Sequence, residues 1–233
     1  MSTRPSVPNE VRRELRQESG FGCCNCGHPF VQFHHIVPWS EDQHFRPEDM
    51  MTLCSHCHHL CTVGAITESE QRQMKRRPKN IIDDNARGLL YVNSRRLEVH
   101  LGGGIAINTP VLLMIENTFV LQAKLSEECG RVLISALIHD SRGWVVGRII
   151  DNEWEIPPSG VWDIEAYPRT ATVREKARDI SFSVDTRQDQ VKLRGKWFYR
   201  GDPVQFSENE MRFGTNKLVG FHVEDCPIFM GLG

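Results

Sequence analysis

The sequence predicts an α+β chain in two parts, a small metal-knotted module of short strands and helices followed by a larger all-β domain, sandwich or barrel-like. Two observations predict it. The stretch from Cys23 to Cys61 holds six of the eight cysteines and seven of the ten histidines, and Cys23/Cys26 and Cys54/Cys57 form two Cys-x2-Cys pairs. From Leu89 onward, apolar residues recur at every second position in runs separated by Gly, Asp and Asn turns, which is the period of strands. A length of 233 residues accommodates two modest domains, and the crowding of Cys and His before residue 62 places a division there. The expected boundaries are 1–66 for the module, 67–88 for a basic helix and linker, and 89–233 for the β domain.

The cysteine spacing carries the first chemical reading. Two Cys-x2-Cys pairs separated by a loop long enough to form a hairpin match a closed tetrahedral zinc site on Cys23, Cys26, Cys54 and Cys57. A module this small buries too little apolar surface to hold itself together, so zinc is expected to supply folding free energy on the order of 10 kcal/mol. Pairs spaced for metal, with no apolar leader at the N-terminus, argue against a disulfide role and for a cytoplasmic location. Cys24, Cys61, Cys129 and Cys226 read as ordinary small residues.

The elements of the module follow in order. Ser6-Val7-Pro8 reads as the cap and first turn of a helix through Val11 and Leu15, ended by Gly20. Gln32 to Val37 alternates as a strand, so His34 and His35 should face opposite sides. Ser40 to Asp49 is loop-like, Pro47 opens a turn, and His58 is expected to start the helix after the second cysteine pair. Thr67-Glu68-Ser69-Glu70 has capping-box spacing ahead of a polar helix bearing Arg72, Lys75, Arg76 and Arg77. That run is the most basic in the chain and is the candidate nucleic-acid contact, weighed against a solvated helix. Ile81 to Gly88 reads as a linker.

Within the module, Cys23-x2-Cys26, His34-His35-Ile36-Val37-Pro38, Arg46-Pro47-Glu48-Asp49-Met50-Met51-Thr52 and Leu53-Cys54-Ser55-His56-Cys57-His58 occur in that order. This series resembles the HNH endonucleases over roughly residues 8 to 66. The resemblance implies a ββα-metal nuclease module of the four-cysteine zinc subtype. By position it implies His35 as general base, with His34 and His58 as ligands of a catalytic Mg²⁺ or Mn²⁺. Asp49 stands where the family has a bracing Asn, and is expected either to hold the loop or to add a carboxylate ligand. His28, His44, His56 and His59 are expected to be structural or solvent-facing. The implied reaction is hydrolysis of DNA phosphodiester bonds, leaving a 5′ phosphate and a 3′ hydroxyl.

The β domain offers no catalytic constellation. Gly102-Gly103-Gly104 reads as a turn, and Trp154, Trp162, Trp197, Phe198 and Tyr199 read as core at strand spacing rather than as a base-stacking surface. A net charge of −2, with both halves close to neutral, excludes a broad basic DNA-coating surface, so contact with DNA must be local. No run approaches the ~20 apolar residues of a membrane span. The leading expectation is therefore a DNA endonuclease, with a regulatory or oligomerising β domain as would suit a restriction or defence system. The competing expectation is a non-catalytic zinc module that docks DNA or protein under control of a ligand-sensing β domain.

Overall fold

The structure, a computed structural model, describes residues 5–233; the first four residues of the expected module lie outside them. The chain is mixed α+β and divides into two compact units. One runs to Gly88 and includes Pro157–Ser159, and the other comprises Leu89–Ile156 and Gly160–Gly233. No helix among the described residues is long and apolar enough to cross a membrane.

In the first unit, helix α1 (Asn9–Glu18) starts directly after Pro8, whose fixed φ suits a helix entry, and it buries Leu15. Strands β1 (Gln32–His35) and β2 (Met50–Leu53) form an antiparallel hairpin with Gln32 opposite Leu53 and His35 opposite Met50. Alternation puts Phe33 and His35 on one face and His34 on the other, the face shared by Met51 and Leu53. Met51 and Leu53 pack with Cys23, Cys24, Ile36, Cys54, Cys57 and Cys61 in the module's core. Helix α2 (Ser55–Thr62) begins before His58, where the sequence reading started it. The reason is that Cys54 Sγ accepts a hydrogen bond from the Cys57 N–H, so a cysteine takes the capping place of a serine or aspartate. Helix α3 (Glu68–Arg76) starts with the expected capping box between Thr67 and Glu70.

A short helix, α4 (Lys79–Asp83), stands where the sequence reading expects a linker from Ile81. Five residues are too few to hold a helix by propensity, and contacts elsewhere in the unit fix it. Asn80 is 3% exposed, and its Nδ2 donates to the carbonyls of Gly20 (2.9 Å) and Gly27 (3.3 Å). The Lys79 N–H donates to the Cys24 carbonyl at 3.0 Å, so α4 clamps the loop that carries the first cysteine pair. Gly27 has φ +76°, and a Cβ there would fall 2.3 Å from Asn80 Oδ1, so the clamp requires glycine. Asn80→Ala leaves two buried carbonyls without a donor and is expected to lower stability by about 1–3 kcal/mol, read as a lower denaturant midpoint. An unchanged midpoint removes the clamp from this account.

After β3 (Ala86–Leu89), the second unit is all-β, as its alternation predicts. In chain order come β4 (Glu98–Leu101), β5 (Gly104–Ile107), β6 (Val111–Ile115), β7 (Thr118–Leu125), β8 (Val132–His139), β9 (Val145–Ile150) and β10 (Glu153–Ile156). They are followed by β11 (Asp163–Tyr167), β12 (Thr170–Lys176), β13 (Asp179–Asp185), β14 (Val191–Tyr199), β15 (Asp202–Phe206), β16 (Met211–Phe213), β17 (Asn216–Leu218), β18 (His222–Glu224) and β19 (Gly231–Leu232). One sheet runs β19-β6-β7-β8-β9-β10; the other runs β11 to β17 in sequence order, with β4 parallel to β14 and β5 joining β4 to β18. Gly102 and Gly103 form the expected turn, both at positive φ. Trp154 and Trp197 are buried core residues, and Trp197 Nε1 donates to the Leu137 carbonyl at 2.8 Å, tying β14 to β8.

Candidate functional site

The four sulfurs of Cys23, Cys26, Cys54 and Cys57 all lie within 4.8 Å of one another. Cys26 Sγ is 3.7 Å from Cys54 Sγ and 3.9 Å from Cys57 Sγ. Tetrahedral zinc with Zn–S bonds of about 2.3 Å spaces its sulfurs about 3.8 Å apart, so the cluster has the dimensions of a zinc site. Asn25 Nδ2 donates to Cys57 Sγ at 3.4 Å, the kind of outer contact that orients a thiolate. Among themselves the thiols resist ionising together. Burial, followed by repulsion from neighbouring cysteines, pushes Cys26 up to about 11 and also raises Cys57. Cys54 is held below its ordinary value against the effect of burial by the Cys57 N–H and by hydrogen bonds from Cys57, Cys26 and Cys23. A divalent cation at the centre would let four thiolates coexist there. Cys24 and Cys61 are buried in the same core but lie outside the cluster; burial pushes the Cys24 thiol up to about 11.

On the hairpin face toward this core, the His34 ring meets the His58 ring edge-on, with centroids 4.9 Å apart. β1 supplies the first ring and α2 the second, immediately after Cys57 of the four-cysteine cluster. Two imidazoles bound to one ion by metal–nitrogen bonds of about 2.1 Å hold their ring centres about 5 Å apart, a spacing that this pair matches. Thr62 Oγ1 donates to the His58 carbonyl and lies 3.5 Å from His58 Nδ1. Among the described residues, the four cysteines are the one convergent group of three or more metal-ligating side chains; His34 and His58 are a pair.

His35 faces the other way. It is 7% exposed, sits among the rings of Trp39, His44 and Phe45, and its Nε2 lies 2.8 Å from the His44 carbonyl oxygen. A carbonyl accepts only, so Nε2 carries the proton and Nδ1 holds the lone pair. His44, expected to be structural or solvent-facing, is buried, and its ring ties down this loop. Its Nδ1 accepts from the Arg46 N–H at 3.1 Å, and its Nε2 donates to the Val37 carbonyl at 3.4 Å. The ring thereby sets the position of the carbonyl that His35 uses.

Asp49 closes the turn Pro47–Asp49 ahead of β2. Its carboxylate accepts from Arg72 Nη2 at 3.0 Å and from Arg46 Nε at 3.1 Å, and its own carbonyl accepts from the Ile36 N–H at 2.8 Å. Arg72, then Arg46, holds the carboxyl below the ordinary carboxylate range despite partial burial. Its contribution to stability is therefore present above that range and is lost as pH falls through the lowered value. The expected basic run splits in two. Arg72 is bound to Asp49 and Glu68, and Lys75 to Glu18, whereas Arg76 and Arg77 are exposed.

The sequence reading missed two contributors. Gln71 is 7% exposed and faces His34, with its Oε1 3.0 Å from His34 Nε2, and His44 supports His35 through its backbone. Helix spacing offered a signal for the first, because Gln71 and Met74 lie one turn apart on the inward face of α3. Nothing local marks the second.

Residues 23–62 match the family model described as HNH endonuclease, and the β unit has no family match. No curated protein and no solved structure matches the chain. Residues 23–62 are thus similar to the HNH endonucleases and contain four cysteines placed to hold zinc, and an all-β region follows.

Proposed function

We propose that this protein is a metal-dependent endonuclease that hydrolyses phosphodiester bonds in DNA, with His35 as general base and His34 and His58 as ligands of the catalytic cation. The single observation that carries the reading is the meeting of His34 on β1 with His58 on helix α2, beside a cysteine cluster that needs neither of them. His35, the last residue of β1 and on its other face, has an imidazole fixed in one tautomer by the His44 carbonyl. A phosphate bound across the end of the strand is what would bring it together with a cation on His34 and His58. Nδ1 takes the proton of the attacking water, and the carbonyl stabilises the imidazolium that forms. His34 and His58 would hold a divalent cation, which when bound would neutralise phosphate charge and support the departing 3′ oxygen. Asp49, with both carboxylate oxygens engaged by arginines, braces the turn and is not a ligand. The donors are then two nitrogens, which suits Mn²⁺ or a later transition ion better than Mg²⁺. Arg76 and Arg77 are the cations left to meet backbone phosphates, while Arg72 and Lys75 act through Asp49 and Glu18. A regulatory or oligomerising β unit in a restriction or defence system rests on architecture alone.

The test is cleavage of double-stranded, single-stranded, nicked and RNA substrates with Mn²⁺, Ni²⁺ or Mg²⁺ added. Cutting is expected with added cation, most strongly with Mn²⁺ or Ni²⁺. His58→Ala is expected to lose most activity at limiting Mn²⁺ and to regain part of it as Mn²⁺ is raised, because one ligand of a pair is gone. A parent protein that cuts none of these substrates with any of these ions overturns the reading and leaves the docking module.

A further inference from the structure

We infer that helix α3, outside the matched family span, is the positioning element of this site, and that Gln71 fixes the tautomer in which His34 meets the cation. The inference rests on the proposed ligand role of His34 and names a residue that acts through it. Gln71 Nε2 donates to the Ile66 carbonyl at 3.1 Å, which settles the orientation of the amide. The atom facing His34 is therefore Oε1, an acceptor, 3.0 Å from His34 Nε2. His34 must donate from Nε2, so its lone pair lies on Nδ1, the nitrogen through which it would ligate a metal. Amide partners of this kind hold a ligating imidazole in orientation and raise its basicity.

The helix is itself held in place. Thr67 and Glu70 form its capping box, and Met74, one turn beyond Gln71, packs against the cysteine core. The next residue, Arg72, donates to Asp49 while also paired with Glu68. Two consecutive residues of one helix thus engage His34 and Asp49, which are carried by different parts of the hairpin. Both contacts come from a segment that the basic-patch reading assigned to DNA.

The experiment combines metal binding with the protonation pattern of His34. In zinc-loaded full-length protein, ¹⁵N-resolved NMR of the imidazoles is expected to show the His34 proton on Nε2, and Gln71→Ala to shift the ring to a mixture of tautomers. Mn²⁺ affinity, measured by calorimetry, is expected to fall about tenfold to a hundredfold in Gln71→Ala at parental zinc content. Gln71→Glu keeps the acceptor, so it is expected to keep the Nε2 proton and bind Mn²⁺ at least as tightly as the parent. It decides the matter if Gln71→Ala loses zinc, and its falling in Mn²⁺ affinity as far as alanine overturns the inference. So does a Gln71→Ala protein with parental tautomer and parental Mn²⁺ affinity. A parent that shows the Nε2 proton and binds Mn²⁺ but cuts nothing sinks the nuclease reading and leaves the positioning role of Gln71 intact.

Discussion

Cys54→Ser is expected to release zinc and unfold the N-terminal unit. Cys54 does two things at once: its sulfur is one corner of the four-cysteine cluster, and the same sulfur caps helix α2 by accepting the Cys57 N–H. Serine preserves the cap but is a poor zinc ligand, so the substitution isolates the metal contribution. That contribution is on the order of 10 kcal/mol, comparable to the whole stability of a typical domain, and the core it holds is a small cluster built largely around cysteines. The measurements are zinc per chain and hydrogen exchange over residues 23–62, where Cys54→Ser should lose both metal and protection. Cys61→Ser is the control: Cys61 lies in the same core and on the same helix but outside the cluster, so it should keep its zinc. One tightly held zinc per chain in Cys54→Ser, with parental protection, would falsify the ligand set.

What could be read ahead of the structure was local. The Cys-x2-Cys pairs, the Thr67–Glu70 capping box, the alternation that separates His34 from His35, and the period-two strands after Leu89 are all short-range patterns, and each appears as read. What escaped was tertiary. Lys79–Asp83 is helical because Asn80 is buried against Gly20 and Gly27, more than fifty residues away in sequence, and no periodicity announces that. The start of α2 was missed because its cap is a thiol. The ion pairs of Arg72 and Lys75 were out of reach because a sequence lists charges without their partners, and Asp49 and Glu18 lie far from them in the chain. Strand order was equally out of reach: the pairing of β4 with β14 joins residues some ninety apart.

His35→Ala should give the largest loss of cleavage, about 10²- to 10⁴-fold, the range expected when a positioned general base is removed. The structure makes this variant a clean probe. His35 lies on the opposite face of β1 from His34, and its ring nitrogen is bonded to a backbone carbonyl rather than to the cysteine cluster. Zinc content should therefore be unchanged and Mn²⁺ affinity near that of the parent, in contrast to His58→Ala. Raising Mn²⁺ should restore part of the activity of His58→Ala and none of that of His35→Ala, since a proton acceptor cannot be supplied by filling a metal site. The residual rate of His35→Ala should depend on pH and buffer, because solvent bases then do the work. The comparison also separates the nuclease reading from contamination, because a stray nuclease would cut equally in every variant preparation. If His35→Ala cleaves as fast as the parent at matched metal and pH, His35 is not the base.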